Sequence, residues 1–342
     1  MSTKILVTGG TGYIGSHTTV ELQNSGYEVI IVDDLSNSGI EVLESIQKIT
    51  GKKPGFEEFD LADRGKTDDF FRRNNDIAAI INFAAFKAVG ESVQKPLDYY
   101  RNNLVLMMNL LECQIKYNIP NMVFSSSCTV YGQPEILPVT EQTPRKDAES
   151  PYGNTKRISE DILKDTISVN PQLKGIALRY FNPIGAHPTA LIGELPLGVP
   201  QNLIPFITQT AAGLREGLKV FGNDYDTPDG SAVRDYINVV DLAKAHVIAI
   251  ERLLKNKNKM NYEVFNLGTG TGLSVLEVVN GFEKATGVKL NYKIVKRRAG
   301  DIEKIWADTT YANEELGWKA EKSLEETLLS AWNWEKKLRG IK

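Results

Sequence analysis

Cysteine is scarce in this chain: Cys113 and Cys128 are the only two among 342 residues. Both lie in or beside apolar runs and share no metal-ligand spacing, so neither a disulfide framework nor a metal site is expected. Long hydrophobic runs are missing too, which excludes a bilayer-spanning helix of about 20 apolar residues. Neither sign of charge is in excess. Lys and Arg number 40 against 43 Asp and Glu, a net charge of -3, which argues against a nucleic-acid partner or an anionic membrane surface. No internal repeat and no low-complexity segment is found. The chain passes from Met1-Ser2-Thr3-Lys4 straight into a strand-like run, without the regions of a signal peptide. A cytoplasmic protein is expected. Apolar content of 42% and charged content of 24% are ordinary for a globular chain long enough to bury a large core.

What the sequence does contain is alternation of short apolar runs with helical segments. Residues 4–8 are apolar and β-branched and read as a buried parallel strand. Gly9, Gly12 and Gly15 follow at once, and a helix over 13–25 comes next, ended by Gly26. Glycines so placed let the backbone turn tightly and lie against a pyrophosphate, with the helix N-terminus offering free N–H groups. A second strand at 28–32 ends at Asp33-Asp34, about twenty residues beyond the glycines, where a carboxylate can bond the adenine-ribose hydroxyls. No Arg or Lys lies near that strand end, so NAD is favoured over NADP. Further strands are expected at 56–59, leading to Asp60 (a candidate adenine contact), then at 77–83, 122–125 and 175–180. Ala84, after the fourth, is small enough to let a flat dinucleotide pass. Ser127, at the next strand end, can hold a substrate oxygen.

Residues 183–234 are rich in proline and glycine yet keep apolar residues, and read as an irregular excursion from the sheet. Runs at 235–239 and 263–267 read as strands returning to the core. The expected fold is therefore α/β: a Rossmann-like doubly wound parallel sheet over 1–181 plus 235–268, carrying the dinucleotide. Residues 182–234 plus 269–342 form a smaller mixed lobe over its carboxyl edge, with the active site in the cleft between them.

Tyr152-Gly-Asn-Thr-Lys156 carries the chemistry. A Tyr and a Lys four residues apart share one helix face, and Pro151 suits a helix start. A phenol titrates near pH ~10, so bringing it to about 7 takes roughly 4 kcal/mol of differential stabilisation. An adjacent ammonium and a cofactor cation both work in that direction.

Together, the glycine turn, Asp33, Ser127 and Tyr152-x-x-x-Lys156 resemble the extended short-chain dehydrogenase/reductase family. Within it, the UDP-glucose 4-epimerase family is the nearer likeness, through 87–96, Tyr180-Phe-Asn-Pro183, Phe221-Gly-Asn-Asp-Tyr225, Arg234-Asp-Tyr236 and Asn266-Leu-Gly268. The resemblance implies 4-epimerisation of UDP-glucose and UDP-galactose through a 4-keto sugar, with NAD retained as a catalytic part. It implies Tyr152 as acid/base on the sugar O4, Lys156 on the nicotinamide ribose and Ser127 on the reacting hydroxyl. Tyr13, Ile14, Asp33, Asn37, Ser38, Asp60, Leu61, Phe83, Lys87, Asn102 and Phe181 fall on NAD contacts. Asn182, Asn202, Phe221, Arg234, Arg298 and Asp301 fall on the UDP-sugar pocket. Arg234 and Arg298 suit the two phosphates. The likeness also implies a homodimer through the helices near 97–118 and 152–168.

Departures from the family pattern are Ala85 and Cys128, where glycine and alanine are usual. Ile305, just before Trp306-Ala307-Asp308, occupies the position that gates the hexose pocket, where tyrosine excludes a 2-N-acetyl group and cysteine or serine admits it. UDP-galactose is then the main expected substrate and the N-acetylated sugar a slower one. A nucleotide-sugar 4,6-dehydratase would need an Asp-Glu pair beside the serine, where this chain has Cys128-Thr129. A non-catalytic dinucleotide sensor could dispense with Tyr152 and Lys156.

Overall fold

A computed structural model describes residues 2–298 and 301–342. Met1 and the Ala299-Gly300 pair between Arg298 and Asp301 lie outside the described residues. Seven parallel strands make the main sheet: β1 (Lys4–Thr8), β2 (Glu28–Asp33), β3 (Gly55–Glu58), β4 (Ile77–Asn82), β5 (Asn121–Ser127), β6 (Lys174–Tyr180) and β10 (Tyr262–Leu267). Their order is β10-β6-β5-β4-β1-β2-β3. Ile5, Leu6, Val7, Ile80, Ile81, Val123 and Ile176 are fully buried, as continuous apolar strands covered on both faces must be.

One face is covered by α1 (Tyr13–Asn24), α2 (Val42–Thr50) and α8 (Val239–Leu254), which contribute Val20, Leu43, Ile46, Leu242 and Ile250 to one core. The other is covered by α3 (Arg64–Arg73), α5 (Pro96–Lys116) and α6 (Pro151–Val169), through Phe70, Leu106, Leu110, Leu163 and Ile167. Strand order reverses at β1, whose neighbours are β4 and β2. The crevice at the carboxyl ends of β1 and β4 is where such sheets take ligands.

The strand expected at 235–239 exists as β9 (Val233–Asn238), but it does not join the main sheet. It is the centre of a second, mixed sheet with β7 (Asn182–Ile184), β11 (Gly272–Ser274) and β13 (Lys304–Ile305). The place beside β6 is taken by β10, in register from Tyr262↔Gly175 to Leu267↔Tyr180. Arg234 and Asp235 put ionic side chains on both faces of β9, but charge alone does not set its place, since β10 and β6 carry the buried Glu263 and Arg179 in the main sheet. A two-stranded parallel ribbon of β8 (Leu218–Phe221) and β12 (Tyr292–Val295) completes the strands.

Beneath the smaller sheets, α7 (Leu203–Ala211), α9 (Val275–Thr286) and α10 (Leu324–Arg339) close a separate core around Ile207, Val278, Phe282, Leu328 and Trp332. A short helix, α4 (Val89–Gln94), precedes α5. Where the two lobes meet, a fourth cluster joins Cys128, Val130, Tyr131, Val139, Phe181, Ile305 and Ala307.

Candidate active site

The turn after β1 shows why its glycines are needed. Gly9 has φ 66°, in the left-handed region, and a Cβ there would stand 2.8 Å from the Ala84 backbone nitrogen. Gly9 thus lets the backbone at the end of β4 abut the turn. A Cβ on Gly15 would collide with the Gly9 carbonyl, so α1 can start this close to β1 only without one. Gly12 is the N-cap of α1 and supplies no side-chain cap, and no acidic residue stands in the first turn. The first amides of that helix are left to bind an anion. The donor set therefore fits a dinucleotide pyrophosphate.

At the end of β2, Asp33 is tied back to the turn. Its carboxylate accepts from Thr11 N at 3.1 Å, Leu35 N at 3.1 Å and the Ser38 hydroxyl at 3.2 Å. Ser38 and Thr11 hydroxyls are 2.7 Å apart. Asn37 is exposed. Asp60 is also exposed and accepts from Ala62 N at 2.8 Å, whereas Leu61 is buried. Tyr13 donates to the Gly185 carbonyl at 2.7 Å, and Ile14 packs on the core beneath.

The second group lies on the same edge of the sheet. Ser150 caps α6, its hydroxyl accepting from Gly153 N at 3.2 Å, and Pro151 opens the first turn. That start turns Tyr152 and Lys156 inward, and they are 8% and 4% exposed. Lys156 Nζ donates to the Ser125 carbonyl at 2.7 Å and stands 5.9 Å from the centre of the Tyr152 ring. Ser127, the last residue of β5, is buried beside Tyr152.

Electrostatics here depart from the sequence-based expectation. Burial pushes the Tyr152 phenol well above its ordinary value, with Tyr180 and Cys128 adding to the rise and the Ser127 hydroxyl opposing it. Burial also lowers Lys156 to about 8, against an upward pull from Glu160. The ammonium expected to stabilise a phenolate is thus itself strained by desolvation, and in the protein alone burial wins. Of its three donors, one is used on Ser125. The remaining donors suit ribose hydroxyls.

Around the β4 end, the Phe83 ring meets His246 at a tilt of 47°, ring centres 4.6 Å apart. Asn102 donates to the Asn103 side chain at 3.0 Å. Asn103 in turn clamps Phe86 N and O and reaches the Thr155 hydroxyl at 3.0 Å. Lys87 pairs with Glu194 at 3.6 Å, and the same carboxylate oxygen accepts from Asn202 at 2.6 Å. One carboxylate therefore joins a residue expected on the cofactor side to one expected on the sugar-nucleotide side.

Phe181, Ile305 and Cys128 share one buried cluster, and Ile305 is 1% exposed. Ile305 stands beside Arg234 in the parallel register of β13 and β9. Arg234 donates to the carbonyls of Val233 and Glu303 and has no carboxylate partner among the described residues. Arg298 pairs with Asp301 at 2.6 Å and lies over the half-exposed Phe221 ring, 5.7 Å from its centre. Asn182 opens β7 and is half-buried. Arg234 and Arg298 share no partner. The structure brings together Ser127, Tyr152 and Lys156, and separately Phe181 with Ile305, but leaves Asn37 and Asp60 at the surface.

Sequence reasoning missed Glu160, Arg179, Asn103 and Glu194. Glu160 stands four residues after Lys156 on the same helix face, a spacing that could have found it. Glu194 lies in irregular chain and gives no local signal.

The family model described as GDP-mannose 4,6 dehydratase matches residues 6–330. UDP-glucose 4-epimerase of Bacillus subtilis (strain 168) is 52% identical over 331 residues, covering 97% of this chain and 96% of that protein. The Homo sapiens UDP-glucose 4-epimerase is 47% identical over 342 residues, covering 98% and 97%. Among solved structures, UDP-glucose 4-epimerase from Bifidobacterium longum in complex with NAD+ and UDP superposes with a TM-score of 0.95 at 47% identity, covering 99% of this chain and 100% of that one.

Proposed function

Because the chain belongs to the UDP-glucose 4-epimerase family, among the extended short-chain dehydrogenases/reductases, we propose that it interconverts UDP-glucose and UDP-galactose through a transient 4-keto sugar. The observation that carries this reading is the meeting of Ser127, Tyr152 and Lys156 at the carboxyl edge of the main sheet, which also bears the uncapped glycine turn.

NAD, when bound, would supply reversible hydride-transfer chemistry at the sugar C4. Gly9, Gly12, Gly15, Tyr13 and Ile14 would hold its pyrophosphate side. Asp33, Asn37, Ser38, Asp60 and Leu61 would hold its adenosine, and Phe83, Ala84, Lys87, Asn102, Lys156 and Phe181 its nicotinamide side. Tyr152 takes the O4 proton and gives it back, while Ser127 orients the same oxygen. Lys156, charged, favours the phenolate, and the cofactor's own cation adds to that. Arg234, which has no carboxylate partner, and Arg298, whose partner Asp301 can be exchanged, neutralise the two phosphates. Asn182, Asn202 and Phe221 complete the pocket. The nucleotide is then held firmly and the hexose loosely, as turning over the keto sugar requires.

Residues 1–181 plus 235–268 thus act as the NAD-binding part, and 182–234 plus 269–342 as the UDP-sugar part, β9 supplying the strand on which Arg234 reaches the sugar nucleotide. Exposed Leu97, Met108 and Ile115 on α5 support a homodimer through α5 and α6. The protein acts in the cytoplasm. Ile305, walled by Phe181 and Cys128, sets the room beside the hexose and admits the N-acetylhexosamine pair at a lower rate. Elimination of water, suggested by the dehydratase description, lacks its acid–base pair: Cys128 and Thr129 follow Ser127, and burial raises the Cys128 thiol to about 12.

Turnover of UDP-galactose by the purified protein tests the reading. UDP-glucose should form with bound or added NAD and not with NADP. A dehydrated product would indicate the dehydratase, and no turnover after NAD loading would leave only a sensor.

A further inference from the structure

Behind Lys156 lies a buried ionic network that the proposed chemistry does not use. Glu160, 1% exposed, follows Lys156 by one helical turn on α6. Arg179 of β6 grips it with two bonds, 2.9 Å to one carboxylate oxygen and 2.6 Å to the other. The Ser126 hydroxyl of β5 donates to it at 2.5 Å, and Arg145 approaches at 3.4 Å from the loop before α6. Arg179 also donates to the Tyr131 hydroxyl at 3.0 Å, which donates to Asn266 of β10 at 2.7 Å. Three consecutive serines therefore face three partners. The Ser125 carbonyl takes Lys156, the Ser126 hydroxyl takes Glu160, and Ser127 stands by Tyr152.

We propose that Glu160 is a positioning residue for the epimerisation, holding the end of β5 in place and keeping the buried Lys156 ammonium charged. The inference rests on the reading of Tyr152 and Lys156 given above. A lysine at this depth loses most of its hydration, and its other neighbours are neutral. They are the Ser125 carbonyl and Phe124 ring of β5 and the Tyr152 phenol of its own helix, with Tyr180 of β6, Cys128 and Tyr99 of α5 around that phenol. Glu160 is the anion that acts on it. Two arginines pair with that carboxylate, Arg179 at 2.6 Å and Arg145 at 3.4 Å. The pairing costs desolvation on both sides, so its benefit lies in placement and charge more than in stability.

The test compares kcat against pH for the NAD-loaded wild type, Glu160→Gln and Arg145→Gln, using UDP-galactose. Gln keeps the shape and one acceptor but removes the charge. Lys156 then loses its proton at lower pH, and the alkaline limb should move down by about 1–2 pH units, with KM nearly unchanged. Arg145 is partly exposed, so its removal leaves the fold intact. It takes a cation from beside Glu160, and the limb should move slightly the other way. If Glu160→Gln fails to fold, Glu160→Asp, which keeps the charge but draws it back by one methylene, takes its place, and its limb should move down by less. An alkaline limb that stays in place in the folded variants, or moves in one direction in both, overturns the proposal. Tyr152→Phe serves as the control: if it turns over normally, the underlying reading of the site fails, independently of Glu160.

Discussion

Ile305→Tyr probes selectivity at one buried position. Ile305 is 1% exposed and packed among Cys128, Val130, Tyr131, Val139, Phe181 and Ala307. Its backbone is fixed by pairing with β9 and by the Val139 amide, which donates to the Trp306 carbonyl at 3.0 Å. A tyrosine cannot spread into that cluster without overpacking it, at a cost of about 1–3 kcal/mol. On the proposed role of Ile305, the ring would be relieved toward the hexose and compete with a 2-N-acetyl group but not with a 2-hydroxyl. The same 1–3 kcal/mol, felt by one sugar only, corresponds to a fall of roughly 5–150-fold in kcat/KM for the acetylated substrate relative to UDP-galactose. The assay is kcat/KM for both sugars in wild type and variant, with thermal unfolding to check that both remain folded. A ratio that does not move would show that Ile305 is only part of the inter-lobe core. Ile305 is also stiff at χ1 and offers no hydrogen bond to an acetamide, so the wild-type preference should come from room alone.

Two further substitutions test the catalytic and cofactor sides. Tyr152→Phe removes only a hydroxyl and should keep the fold and bound NAD while lowering kcat by about 10²–10⁴-fold; near-normal turnover by a folded variant would remove Tyr152 from the chemistry. Asp33→Asn loses the charge that should repel a 2′-phosphate and weakens the ties to Thr11, Leu35 and Ser38. It should bind NAD less tightly and discriminate less against NADP in a binding titration, and equal wild-type affinity for the two cofactors would refute the role given to Asp33.

Most of the main sheet was legible because its strands carry their signal locally. Lys4–Thr8, Ile77–Asn82 and Lys174–Tyr180 are short runs buried on both faces, and the glycines and Asp33 mark the turns between strand and helix. The helix of Tyr152 was legible from Pro151, which opens its first turn, whereas the Ser150 cap that completes the start was not read from the sequence. The neighbours of a strand are another matter. Val233–Asn238 reads as a strand in either sheet, and since both it and Tyr262–Leu267 carry a buried carboxylate, Asp235 and Glu263, composition does not choose between the sheets. Electrostatics were less legible still. The Tyr152-to-Lys156 spacing predicts an ammonium near a phenol, but how far burial weakens that ammonium depends on Ser125, Phe124 and Glu160, which the fold brings in from two elements. Glu194 was invisible because its partners Lys87 and Asn202 meet it only through a crossing of irregular chain.

That second sheet has a consequence for how the molecule comes apart. The chain leaves the main sheet after β6, places β7 beside β9, returns through α8 and then supplies β10 to close the main sheet. Neither sheet is made from one continuous segment, so the chain must cross between them to complete either. The two lobes are threaded together, and cutting the backbone within 185–202 would leave both halves held by strand pairing and shared cores. Mechanical independence of the lobes is thereby given up. On the proposed reading, a sugar nucleotide and a dinucleotide would restrain the same unfolding event, whichever part each touches.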